Sequence, residues 1–206
     1  MKKQLCLIFM LSIWFWSCKD PDVEKSNYEL DATRSVAQWK GYLKTGYFNE
    51  GTVAVHSESI LVKDGKVESG TFTIPMSSLV NLNLPTDELK QQLIHHLQSA
   101  DFFDMAKHPN ARFEITQVSA YTGGGEDAVA GANFQVSGSL IILGKSNPVI
   151  FPANIQLTGE RITVEGKAKF DRTKWGITYA ADPGLPDENF IEPVVNVHLK
   201  LEGKIK

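Results

Sequence analysis

The sequence predicts an all-β protein, a tall, closed, up-and-down antiparallel barrel, with one or two short helices at about residues 86–106 packed against it. Three observations carry this. Apolar and polar residues alternate over runs of about ten residues, turn-forming residues fall between the runs, and one stretch switches to helical spacing. Strands that long, joined by turns that short, suit a barrel better than a sandwich.

Before the barrel, Lys2 and Lys3 precede a 12-residue apolar run, Leu5 to Trp16. A spanning helix needs about 20 such residues, so the run reads as the core of a signal peptide. It ends at Ser17-Cys18, and the polar Lys19-Asp20-Pro21-Asp22 follows. This pattern resembles a bacterial lipoprotein signal, in which the cysteine is acylated and becomes the first residue of the mature chain. The expected division is a signal peptide over 1–17, a polar tether over 18–26 beginning at lipidated Cys18, and the barrel domain over 27–206. The expected location is the bacterial cell envelope, with the domain in the periplasm or at the surface and Cys18 anchoring it to a membrane, most naturally the outer one.

The period-two signal then runs along the chain. Phe72, Ile74 and Met76 share one parity, and so do Phe134, Val136, Leu140 and Ile142, with Gly138 between them. Val149, Phe151, Ala153, Ile155 and Leu157 form the next set. Ile162, Val164, Ala168 and Phe170 follow around Gly166. Val195, Val197, Leu199 and Leu201 close the chain against polar Asn196, His198, Lys200 and Glu202. Turns are expected at Lys63-Asp64-Gly65, Gly144 to Pro148, and Thr158-Gly159-Glu160. Glycines at 138 and 166 suggest a bulge or bend. Pro85-Thr86-Asp87-Glu88 is a helix start with Thr86 as N-cap, and Leu89, Leu93 and Leu97 supply an apolar stripe to about Ser99. A second helical piece is expected at Asp101 to Met105, and a flexible hairpin end at Tyr121 to Asp127.

Composition and motifs exclude much. With 21 Lys and Arg against 24 Asp and Glu the net charge is −3, and no basic stripe points to nucleic acid. The two cysteines, Cys6 and Cys18, allow neither a disulfide framework nor a paired-cysteine metal site. His95 and His96 point about 100° apart on a helix, and His56, His108 and His198 fall in different elements, so no metal site is expected. No nucleophile motif is present, and no catalytic residue is assigned.

Trp39-Lys40-Gly41, the run His96 to Asp104, His108-Pro109 with Ala111-Arg112-Phe113, Val136 to Leu140, and Asp171-Arg172-Thr173-Lys174-Trp175-Gly176 together resemble the YceI-like family of lipid- and polyisoprenoid-binding proteins. The likeness extends in order from about Tyr28 to Leu201. It implies an extended, lipocalin-like eight-stranded barrel whose lumen holds a long isoprenoid or fatty chain, acting without catalysis and with no cofactor beyond that lipid. The expected partners are the lipid and a membrane, and the expected state is a monomer or homodimer. Lumen candidates are Trp39, Phe113, Ile115 and Trp175, together with the alternating residues Phe72, Ile74, Met76, Phe134, Val136, Leu140, Ile142, Val149, Phe151, Ile155, Leu157, Val164, Phe170, Val197 and Leu199. His96 and Arg172 are the polar head-group candidates. For Arg172 the plainer alternative is a strand-end salt bridge or a bond to a turn carbonyl. Trp39 and Trp175 either line the lumen or plug it. The chain departs from the family at Gly46 to Gly51, where a histidine is common, and at Ala180 to Pro186. The rival reading is a barrel packed by its own side chains, acting as an interaction or structural protein of the envelope.

Overall fold

The computed structural model describes residues 24–57 and 59–206; the expected signal peptide, Cys18 and most of the tether lie outside them. Eleven strands follow in order: β1 Lys25–Leu30, β2 Val36–Tyr42, β3 Phe48–Ala54, β4 Ile60–Lys63, β5 Lys66–Pro75, β6 Val80–Asn81, β7 Asn110–Ala120, β8 Phe134–Ile142, β9 Lys145–Thr158, β10 Arg161–Asp171 and β11 Val194–Ile205. One helix, α1 (Asp87–Gln98), lies between β6 and β7. β1 begins inside the expected tether, where Lys25 and Ser26 already pair with Lys63 and Val62.

All pairs are antiparallel, and the ring closes. β1 and β2 run in the same direction along β11, with Leu30 opposite Gly203 and Val36 opposite Lys200, so they act as one long strand interrupted at 31–35. β3 and β4 form a second such strand, opposite β2 and β1 respectively. Counted this way, eight strands close the barrel, and β6 is an extra edge piece on β3. The first and last strands are neighbours, and Lys206 N donates to Asn27 O at 2.9 Å.

The two ends differ. One, the tether end, carries the tight turns Asp64-Gly65 and Gly159-Glu160, the loop 121–133, the start of β1 and the end of β11. The other, the loop end, carries the turn 43–47, the excursion 76–109 with α1, the turn Leu143-Gly144, and the loop 172–193. Asp64 and Gly65 have φ of 48° and 71°, and Leu143 and Gly144 have 50° and 72°. These are two-residue hairpins with both central residues left-handed. The Gly144 turn is therefore shorter than expected, and Lys145 to Pro148 already belong to β9.

Within the strands, Gly138 makes room for a ring, since a methyl group there would lie 2.2 Å from Phe113 Cζ. The bulge falls opposite it, in β7, where the register shifts between Ile115 and Gln117 and reverses the parity. α1 starts as expected, with Leu89 N donating to Thr86 Oγ1 at 3.3 Å. Its buried face is not the expected leucine stripe. Ile94 is the buried residue, Leu97 packs on the core, and Leu89 is exposed. The second helical piece is also absent. Ser99 Oγ donates to His96 O and ends α1, and Asp104 at φ 42° turns the chain through 101–108 as successive turns. Two short 3-10 turns appear instead, at Met76–Ser78 and Arg172–Trp175.

Candidate functional site

Alternation along eight strands delivers one set of side chains to the interior, and with Met76, Leu79 and Phe103 from the loop-end excursion 28 residues, all apolar, line a central cavity of about 180 Å³. Of the sequence candidates, Trp39, Phe72, Ile74, Met76, Phe113, Ile115, Val136, Leu140, Ile142, Val149, Phe151, Ile155, Val164, Phe170, Val197 and Leu199 line it. The one polar atom among these side chains that hydrogen bonding must satisfy, Trp39 Nε1, donates to Thr52 O at 3.3 Å. Sequence reading missed the contributions of the first strands, Ala37, Val53, Val55 and Ile60, and that of Phe103 from the turns after α1. Val53 and Val55 do alternate, but the run is too short to stand out.

Three lumen candidates sit elsewhere. Phe134 and Leu157 line a second cavity of about 200 Å³ with Gly65, Val67, Val118 and Ile155, and Val67 and Ile155 face both cavities. Trp175 is fully buried beyond the lumen at the loop end, its ring edge-on to Phe170 and its Nε1 donating to Leu140 O at 2.9 Å. An indole N–H buried without a partner is costly, and this bond fixes the residue in place.

The two polar candidates meet at the loop end and do not face the lumen cavity. Arg172 is 4% exposed, with Nη1 donating to Ile177 O at 2.8 Å and Nη2 to Ile191 O at 3.0 Å. Its guanidinium lies 5.8 Å from the Phe102 ring, and its Nε is buried without a partner. Burial lowers its pKa, and neighbouring Asp171 opposes this. The guanidinium thus ties both ends of the 177–191 segment to the end of β10. Asp171, held below the usual carboxylate range chiefly by the Thr173 hydroxyl, accepts from Thr173 N and caps the 3-10 turn. His96 stands 3.1 Å from Asp101 Oδ2 and edge-on to Phe102 and Tyr179, packed among loop-end residues.

Trp175, Ile177, Phe102, Met76 and Leu79, all in loop-end segments, are buried as well. The other histidines are dispersed. His198 meets Glu165 at 2.7 Å on the outer face, and His56 bridges to Thr73. Among the described residues no group of three or more His, Cys, Asp or Glu side chains gathers as metal ligands would.

An eight-stranded ring around a wholly apolar lumen matches the YceI-like domain over residues 28–203. The chain belongs to the YceI-like family. A UPF0312 protein of Azotobacter vinelandii is 31% identical over 132 residues, 60% of this chain; the match spans 65% of the length of that relative. Among solved structures, two share the fold of this YceI-like chain as follows. Burkholderia cenocepacia BcnA is 19% identical with a TM-score of 0.61, over 84% of this chain and 98% of its own. A polyisoprenoid binding domain from Saccharophagus degradans is 16% identical with a TM-score of 0.62, over 88% and 99%.

Proposed function

We propose that this YceI-like protein is a non-enzymatic carrier that binds or sequesters a long-chain isoprenoid or related lipid in its lumen, as an envelope lipoprotein anchored through Cys18. The observation that carries the reading is the lining: all 28 side chains around the cavity are apolar. Such a wall offers a hydrocarbon chain about 0.8 kcal/mol per buried CH₂ and offers a polar substrate nothing. The family relationship supports the same ligand class, and the Saccharophagus degradans domain is described as polyisoprenoid binding.

The cavity sets a condition on the ligand. At about 180 Å³ it is little larger than the about 150 Å³ that holds a benzene ring, so as it stands it takes about one or two five-carbon units. A longer chain enters only as the barrel wall and its aromatic rings give way. The same volume favours the second reading, a barrel filled by its own side chains and acting through its outer face or loops. Organic extraction and native mass spectrometry of the purified protein decide between them. A copurifying lipid, with affinity for added prenols that rises with chain length, supports the carrier. A lipid-free protein that binds no prenol at any length overturns it.

A further inference from the structure

The tether end differs from the loop end in three respects. First, the wall is open there. β5 and β7 pair from Thr71 opposite Glu114 to Pro75 opposite Asn110, while β5 starts at Lys66 and β7 runs on to Ala120, so their stretches nearest this end are out of register contact. The second cavity lies at this same end, lined by Val67 of β5, Val118 of β7, and Phe134, Ile155 and Leu157 of β8 and β9, and it shares Val67 and Ile155 with the lumen. Second, the rim is basic. Lys25 lies opposite Lys63, Lys63 opposite Lys66, and Arg161 opposite Lys204, with Lys206 beside them, against Glu24, Asp64, Glu160 and, in the loop 121–133, Glu126 and Asp127, of which Asp127 is taken up by Lys169. Among the described residues, Lys204 alone of the six cations pairs with a carboxylate, Glu29 at 3.7 Å. The loop end is the reverse: its segments carry eight acids against Lys44, Lys90, Lys107, Lys174 and the buried Arg172, and the stretch 177–193 holds Asp182, Asp187, Glu188 and Glu192 with no Lys or Arg. Third, the segment that contains Cys18 joins the barrel at this same rim, through Glu24 and Lys25.

We propose that the tether end is a docking surface for an anionic bilayer, on which Lys25, Lys63, Lys66, Arg161 and Lys206 meet lipid phosphates and hold the apolar gap between β5 and β7 against the membrane. Basic side chains near an anionic leaflet gain attraction that falls off within a Debye length, so a rim cation contributes where a loop-end one does not. The five residues between Cys18 and Glu24, the first described residue, give an acylated Cys18 too little chain to place any other end on the membrane. This inference rests on the carrier reading in treating the gap as the ligand's way in, but docking and lipid content are measured separately.

The test is hydrogen exchange of the protein recovered from full-length expression, with and without vesicles of phosphatidylglycerol and phosphatidylcholine. Amides at 63–67 and 158–162 are expected to slow by at least about threefold, while those at 178–190 do not change. The triple variant Lys63→Glu, Lys66→Glu, Arg161→Glu removes the protection and weakens vesicle association by at least about tenfold. The charge-conserving variant Lys63→Arg, Lys66→Arg, Arg161→Lys keeps both, which separates a lost charge from a damaged fold. Protection at 178–190 instead, no protection at either end, or a charge-reversed protein that still protects 63–67 overturns the proposal. Docking without a copurifying lipid leaves the surface standing and counts against the carrier.

Discussion

Gly138 leaves no space for even one added methyl group, because a Cβ there would meet Phe113 Cζ at 2.2 Å and Glu114 O at 2.6 Å. Gly138→Ala is expected to lower stability by about 1–3 kcal/mol, and Phe113→Leu to recover part of the loss in the double variant, measured as a thermal-unfolding cycle. Arg172 makes the opposite kind of contribution, supplying donors that the surrounding main chain lacks. Arg172→Met leaves the carbonyls of Ile177 and Ile191 without their partners, at an expected cost of about 1–3 kcal/mol, with faster amide exchange confined to 177–191. Nothing in the sequence around Arg172 distinguishes a structural cation from a ligand-binding one. Its role depends on which carbonyls the loop brings back, and two of these lie five and nineteen residues away.

At the scale of elements, the alternation in β8 to β11 was legible because those strands are long and keep one parity throughout: Val136, Leu140 and Ile142, or Val195 to Leu201, all face inward. Of the earlier strands only β5 was, through Phe72 and Ile74. β4 has four residues, β2 and β3 each form half of an interrupted strand, and the shift between Ile115 and Gln117 reverses the parity of β7 midway. The helix was legible at its N-cap and misread on its faces. Leu89 lies in the first turn, where 42% of its surface is exposed, and Ile94 takes the core position. Ile94→Ala should therefore cost about 2–4 kcal/mol, whereas Leu89→Glu should stay within about 0.5 kcal/mol of the parent; chemical denaturation of the two variants checks the assignment.

For the whole molecule, sixteen of the nineteen residues expected in the lumen line the central cavity, whereas nothing in the sequence told the two ends of the barrel apart. Which hairpins share an end depends on how β1 to β4 join into two interrupted strands, and no long alternation in the first third of the chain marks that. Val136 is 4% exposed and faces the cavity from the middle of β8. Val136→Trp is expected to abolish prenol binding, followed by tryptophan fluorescence, with melting lowered by no more than about 1–3 kcal/mol because the cavity accepts part of the added bulk. Unaltered prenol affinity in this variant would place the ligand outside the lumen.

Because β1 lies beside β11 and Lys206 bonds to Asn27, the chain is in effect a loop of strands cut at one place. Two consequences follow for how the molecule forms and how it can be rebuilt. The barrel cannot close until its final 12 residues are available, so its closing contacts have the greatest sequence separation in the molecule, and such topologies fold late and slowly. The cut can also be moved. Joining the present ends through a short linker and opening the chain between Leu143 and Gly144 preserves every strand neighbour, and a tether fused to the new start would leave from the opposite end of the barrel. Such a circular permutant would stand inverted relative to whatever its tether is fixed to.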